Sequence, residues 1–167
     1  QVHFASIKGM AHLQIVQFFP FYTAIGIISM LGFGWALDKW GTGRLLPFHQ
    51  IPAILGFAAF AVSGHAMGIG LGFVFLAITA GATATLPNAF WAEYFGTRHL
   101  GAIKSMAAAI MVFGSAIGPG ITGLLLDQGI ALTTQYYAIA VYFMVTTIIM
   151  FVGFSIARRR IILPAAA

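Results

Sequence analysis

Gly34-Trp35-Ala36-Leu37-Asp38-Lys39-Trp40-Gly41-Thr42-Gly43-Arg44 is the stretch on which the reading of this chain turns. It carries two cations and an acid, in a sequence with only eight Lys and Arg and three Asp and Glu. Long apolar runs flank it on both sides. A bilayer core tolerates few charges and no unpaired backbone. A glycine-punctuated, charged turn between two such runs is therefore expected at a membrane surface.

Working outward, five apolar runs can be counted, at 13–37, 45–62, 66–90, 103–126 and 131–157. Each approaches or exceeds the roughly 20 residues that a helix needs to cross the hydrocarbon core. The connections are short and hold turn residues: Gly41 to Arg44, Ser63-Gly64, Gly96 to Gly101 and Asp127 to Gly129. The sequence thus predicts an all-α polytopic membrane protein. Its transmembrane bundle covers 12–160, residues 1–11 form an outer surface segment trailing a missing helix, and 158–167 form a cytoplasmic tail.

Composition agrees. The chain is 60% hydrophobic and 7% charged, where a soluble domain carries about 25% charged residues. The net charge of +5 would point to nucleic acid in a soluble protein. Here the cations cluster in loops beside apolar runs, so the lipid bilayer is the expected partner and nucleic acid is not. With the Asp38–Arg44 loop placed inside, Lys39, Arg44, Arg98, Lys104, Arg158, Arg159 and Arg160 are all cytoplasmic and only Lys8 is outside. That bias predicts a cytoplasmic C-terminus. No cysteine is present. The histidines at 3, 12, 49, 65 and 99 show no metal-ligand spacing, and no cofactor is expected.

The opening stretch resembles the loop signature of the major facilitator superfamily, Gly-x-x-x-Asp-(Arg/Lys)-x-Gly-x-x-(Arg/Lys). Gly34, Asp38, Lys39, Gly41 and Arg44 occupy the matching positions. A second stretch, Trp91-Ala-Glu-Tyr-Phe-Gly-Thr-Arg-His-Leu-Gly-Ala-Ile-Lys-Ser105, is similar to the loop between the tenth and eleventh helices of bacterial members. The run after it, with Gly114, Gly118, Pro119, Gly120 and Gly123, is similar to their eleventh helix. The resemblance implies that the five spans are helices eight to twelve of a C-terminal six-helix half-bundle, in a bacterial inner membrane. The N-terminal half of the same transporter would then be a partner, and a small-molecule substrate would pass by alternating access. It also implies that the first, third and fourth spans line the pathway while the second and fifth face lipid. The loop wording resembles oxalate/formate-like and monocarboxylate-type porters. Those families carry an arginine in helix eight, and this chain has none between His12 and Asp38.

An inverted repeat fits the same reading. Gly34-Trp-Ala-Leu-Asp38 is echoed by Gly123-Leu-Leu-Leu-Asp127 at the end of the fourth span, on the opposite side of the membrane.

The chemistry of the first loop can be argued without the family. Asp38 sits badly at its own helix C-terminus, where the macrodipole is negative. It is better placed against a neighbouring helix N-terminus or a cation, with Gly34 letting the neighbour close in and Gly41 allowing a tight turn. Such a contact can form in one conformation and break in another, as a gate requires. The alternative is that Asp38 and Arg44 are solvated loop charges. Arg44, or failing it Lys39, is also expected to reach Glu93 at the end of the third span, with Arg98 in the same group of loop charges.

Polar residues within spans are the candidates for substrate contact. Gln14 and Gln17 share a face with Phe18 and Phe21. They either meet a small polar solute or hydrogen-bond neighbouring helices near the outer headgroups. Tyr22, Thr79, Thr83 and Asn88 are further candidates, although threonines commonly bond back to their own helix. Glycines at 68, 70, 72 and 81, and at 114 and 118, permit close helix crossing. Pro20, Pro52, Pro87 and Pro119 are expected to kink their spans. An intramembrane enzyme is the rival of another class. Ser63 and His65 lie only two residues apart, with no accompanying acid or oxyanion motif. A channel would need a pore ring of carbonyls or charges, and no segment supplies one.

Overall fold

The computed structural model describes residues 18–162. Among them every regular element is helical. They are α1 (Phe18–Trp40), a one-turn α2 (Thr42–Leu45), a 3-10 turn (Leu46–Phe48), α3 (Ile51–Val62), α4 (Ala66–Phe95), α5 (Leu100–Asp127) and α6 (Leu132–Ile162). Five stretches are long and apolar enough to cross a membrane: Phe18–Trp40, Thr42–Val62, Met67–Phe95, Leu100–Asp127 and Leu132–Ile156. The chain is a multi-pass membrane protein. A helix keeps its backbone hydrogen bonds within the segment, which lipid demands. Large side chains such as Phe21, Ile28, Leu31 and Val141 point outward, as they do when the surroundings are acyl chains.

Several of the expected boundaries shift by a few residues, and two of the shifts bear on the loops. The third span continues through Trp91 to Phe95, so Glu93 stands in the last turn of a helix. The second is interrupted at its start by the 3-10 turn, whose Pro47 lacks the N–H that a continuous helix would need. Pro52 lies at the first helical positions of α3, where a missing N–H costs nothing, while Pro87 and Pro119 lie inside α4 and α5.

α4 is the centre of the bundle. It packs along α1 on one side and α3 on another, and α3 in turn packs along α6. Glycines make these approaches possible. A Cβ on Gly81 would lie 2.7 Å from the Gly26 carbonyl oxygen and the Met30 amide of α1. One on Gly72 would lie 2.5 Å from the Phe60 ring of α3. Lipid tails are as apolar as leucine, so close packing of this kind, more than burial of apolar surface, holds such helices together.

The core has two parts. Phe60, Ile69 and Phe73 gather Phe18, Tyr22, Phe57 and Tyr136. Leu46, Ala82 and Leu86 gather Phe33, Leu37, Phe90 and Phe154 at the other end. The second span, expected to face lipid, instead shares with the third the highest burial, 39% of its apolar window against 0% for the first and fourth. The cause is its small inner face: Ala53, Gly56 and Ala61 let it sit between α4 and α6. α5 is the opposite case. It buries no residue, and a Cβ at Gly114, Gly118, Gly120 or Gly123 would meet nothing within 4 Å.

Candidate functional site

The loop after α1 reverses direction at Gly41, whose φ of 73° lies in the region that glycine adopts freely. Its amide donates to the Leu37 carbonyl at 2.8 Å. Thr42 follows and is 1% exposed. Its hydroxyl donates a hydrogen bond to the Glu93 carboxylate in the last turn of α4. The turn between the first and second spans is thereby joined to the end of the third.

The expected contact of Glu93 with Arg44 or Lys39 is not what forms. Within the one-turn α2, residues two apart do not share a face. With Thr42 turned to α4, Arg44 turns away and borders a cavity of about 410 Å³ beside Phe48, Phe151 and Phe154. Lys39 lies over the rings of Trp35 and Trp40, 5.1 and 5.6 Å from their centroids. Lysine four residues after Trp35 falls on the same helical face, so this cation–π pair forms locally.

Asp38 is exposed and makes no ion pair or hydrogen bond among the described residues. Among the described residues no neighbouring helix closes on this end of α1, and a Cβ on Gly34 would meet nothing within 4 Å. Arg98 is exposed in the loop between α4 and α5.

Among the candidates for solute contact, Gln14 and Gln17 lie outside the described residues. Tyr22 packs edge-on against Phe73 at 6.4 Å between ring centroids. Thr79 donates to the Phe75 carbonyl at 3.1 Å, and Asn88 donates to that of Ala84 at 2.9 Å. Thr79 is thus committed to its own helix. Asn88 keeps a carbonyl oxygen and a second amide hydrogen. It faces a cavity of about 480 Å³ between α4 and α5, which Thr83, Trp91 and Lys104 also line.

Two polar contacts went unforeseen. Thr146 of α6 donates to Gln50 Oε1 at 2.8 Å, holding the start of α3 against the last span. Buried Gln135 donates to the carbonyls of Ile130 and Thr122, at 3.2 and 3.5 Å, and stitches the α5–α6 turn. The signal for both was present: a glutamine in or beside an apolar run must find partners in lipid. Comparison of the chain with models of protein families, with characterised proteins and with solved structures finds no match.

Proposed function

We propose that the chain is part of a secondary transporter that moves a small solute by alternating access, in the manner of the major facilitator superfamily. The observation that carries the reading is the glycine-turned, charged loop 34–44 anchored to the end of the third span through Thr42 and Glu93. A loop tied by one hydrogen bond, with the Asp38 carboxylate left open, suits a contact that is made and broken between conformations. The resemblance of 91–105 to a second loop of the same family supports it independently. The loop end is cytoplasmic on this reading, and the excess of Lys and Arg there supports that orientation. A small organic anion is the solute class, and an N-terminal half of the same transporter completes the pathway.

Counterflow tests the reading. Vesicles containing this chain together with the N-terminal half that completes the pathway are loaded with an unlabelled organic anion and diluted into a trace of the labelled compound. A carrier accumulates label transiently above equilibrium, because exchange outruns net efflux. A channel or a hydrolase gives no such overshoot. Its absence across a series of small monocarboxylates, with the protein verified in the membrane, would remove the proposal.

A further inference from the structure

The cavity between α4 and α5 has a composition that the helix packing does not require. On α4, Thr83, Pro87 and Trp91 follow one another at intervals of four and share a face. On α5, Lys104 and Met111 stand on the facing side, two turns apart. Elsewhere the two helices scarcely touch. The opening between them holds about 480 Å³, within the range of small-molecule sites.

Asn88 is engaged with its own helix, but three other polar side chains of the lining are free among the described residues. No carboxylate lies within 4.0 Å of Lys104 among the described residues. The chain's three acids are Asp38, Glu93 and Asp127, and none of them lines this cavity. The Thr83 hydroxyl makes no hydrogen bond among the described residues, although those of Thr79 and Thr85 bond back to their own helix. The Trp91 indole N–H is likewise unengaged among the described residues. Pro87 has no N–H to give to the Thr83 carbonyl one turn before it, so the α4 backbone is open there as well. The Met111 wall is apolar. Lys104 stands exposed in the first turns of α5, and no acid among the described residues pairs with it.

We infer that this cavity binds an amphipathic oxyanion. Its acid head is set on Lys104 with the Trp91 indole as a neutral donor, and its body runs along the cleft past Met111 toward the Thr83 hydroxyl, two turns from Trp91. A single cation suits one negative charge. A free monocarboxylate and an anionic lipid headgroup share that chemistry. The inference deepens the transporter reading and rests on it for the identity of the site as a solute site, while binding itself can be measured without transport.

The test uses the protein in phosphatidylcholine vesicles, with Trp35→Phe and Trp40→Phe leaving Trp91 as the remaining tryptophan of three. 4-Nitrobenzoate is the probe and 4-nitrobenzamide its neutral counterpart. The acid should quench Trp91 saturably, and the amide should bind about tenfold more weakly or worse, as loss of a charge-assisted hydrogen bond implies. Lys104→Gln should weaken the acid to the level of the amide, and Lys104→Arg should restore most of its binding. Equal quenching by acid and amide, or an unchanged affinity in Lys104→Gln, would overturn the inference. If Lys104→Gln fails to insert, the comparison of acid with amide in the parent protein decides alone. Added phosphatidylglycerol separates the sources: competition with the acid assigns the site to lipid, and its absence assigns it to a free carboxylate. Saturable binding without counterflow would leave the site standing and remove the transporter reading. Counterflow without binding would remove the site alone.

Discussion

The hydroxyl of Thr42 and the carboxylate of Glu93 meet across 51 residues of sequence, and their hydrogen bond ties the turn after α1 to the last turn of α4. Thr42 is almost wholly buried at that junction. A neutral donor thus stands where a cation was expected. A hydroxyl carries no charge to desolvate, so it can be buried beside the acid without a second ion's penalty.

Thr42→Val keeps the shape of the side chain and removes its hydroxyl. A hydrogen bond to a charged group is worth about 1.5–3 kcal/mol, so the variant should lose stability in that range. Thr42→Ser should retain most of it. In Glu93→Gln the same valine substitution should cost less, because the charged acceptor is gone. Denaturation of the parent, Thr42→Val, Glu93→Gln and the double variant in one detergent gives the coupling energy directly. A coupling near zero would show that the contact carries no stability.

The helical class and the five spans were legible in the sequence because length and apolarity are what a bilayer selects. The turn at Gly41 was legible too, since the glycine requirement of a positive φ is local. The partners were not. A span meant for lipid is apolar all round, so no face of α4 announces that it is central and no face of α5 announces that it stands apart. Arg44 shows the same gap at the level of one residue. Its charge is visible in the sequence. Its direction is set by the one-turn helix that aims Thr42 the other way.

Close glycine contacts make the α1–α4 junction sensitive to a single methyl group. In Gly81→Ala the new Cβ would press on backbone atoms of Gly26 and Met30, which cannot swing aside. Overpacking of this kind costs about 1–3 kcal/mol. Gly114→Ala meets open space on α5 and should leave the stability of the bundle within about 0.5 kcal/mol. Thermal unfolding in detergent, with both variants measured together, checks the contrast. Equal losses would mean that α1 and α4 do not cross at Gly81.

Orientation can be read by labelling, because the chain has no native cysteine. The reporters are His99→Cys in the α4–α5 loop, His65→Cys in the α3–α4 turn and Gln128→Cys in the α5–α6 turn. All three positions are exposed, whereas Thr42 is too buried to serve. With the basic loops inside, an impermeant maleimide should label 65 and 128 in intact cells and reach 99 only after permeabilisation. The opposite pattern would invert the topology.

Asp38 separates gating from folding. Its carboxylate makes no hydrogen bond or ion pair among the described residues, so Asp38→Asn should change stability by no more than about 0.5 kcal/mol. A gate contact works differently. It lowers the free energy of one conformation relative to another, and a substitution that removes its charge shifts that balance without touching the fold. Transport by Asp38→Asn should therefore fall at least about tenfold, the effect of a shift of about 1.4 kcal/mol in the conformational equilibrium. Surface level and melting temperature should stay at the parent values. Asp38→Glu keeps the charge and should recover part of the activity. Uptake of a labelled anion at matched expression supplies the first measurement, and unfolding of the purified variants supplies the second. Full transport in Asp38→Asn would reduce Asp38 to a solvated loop charge, and a large loss of stability would make its role structural.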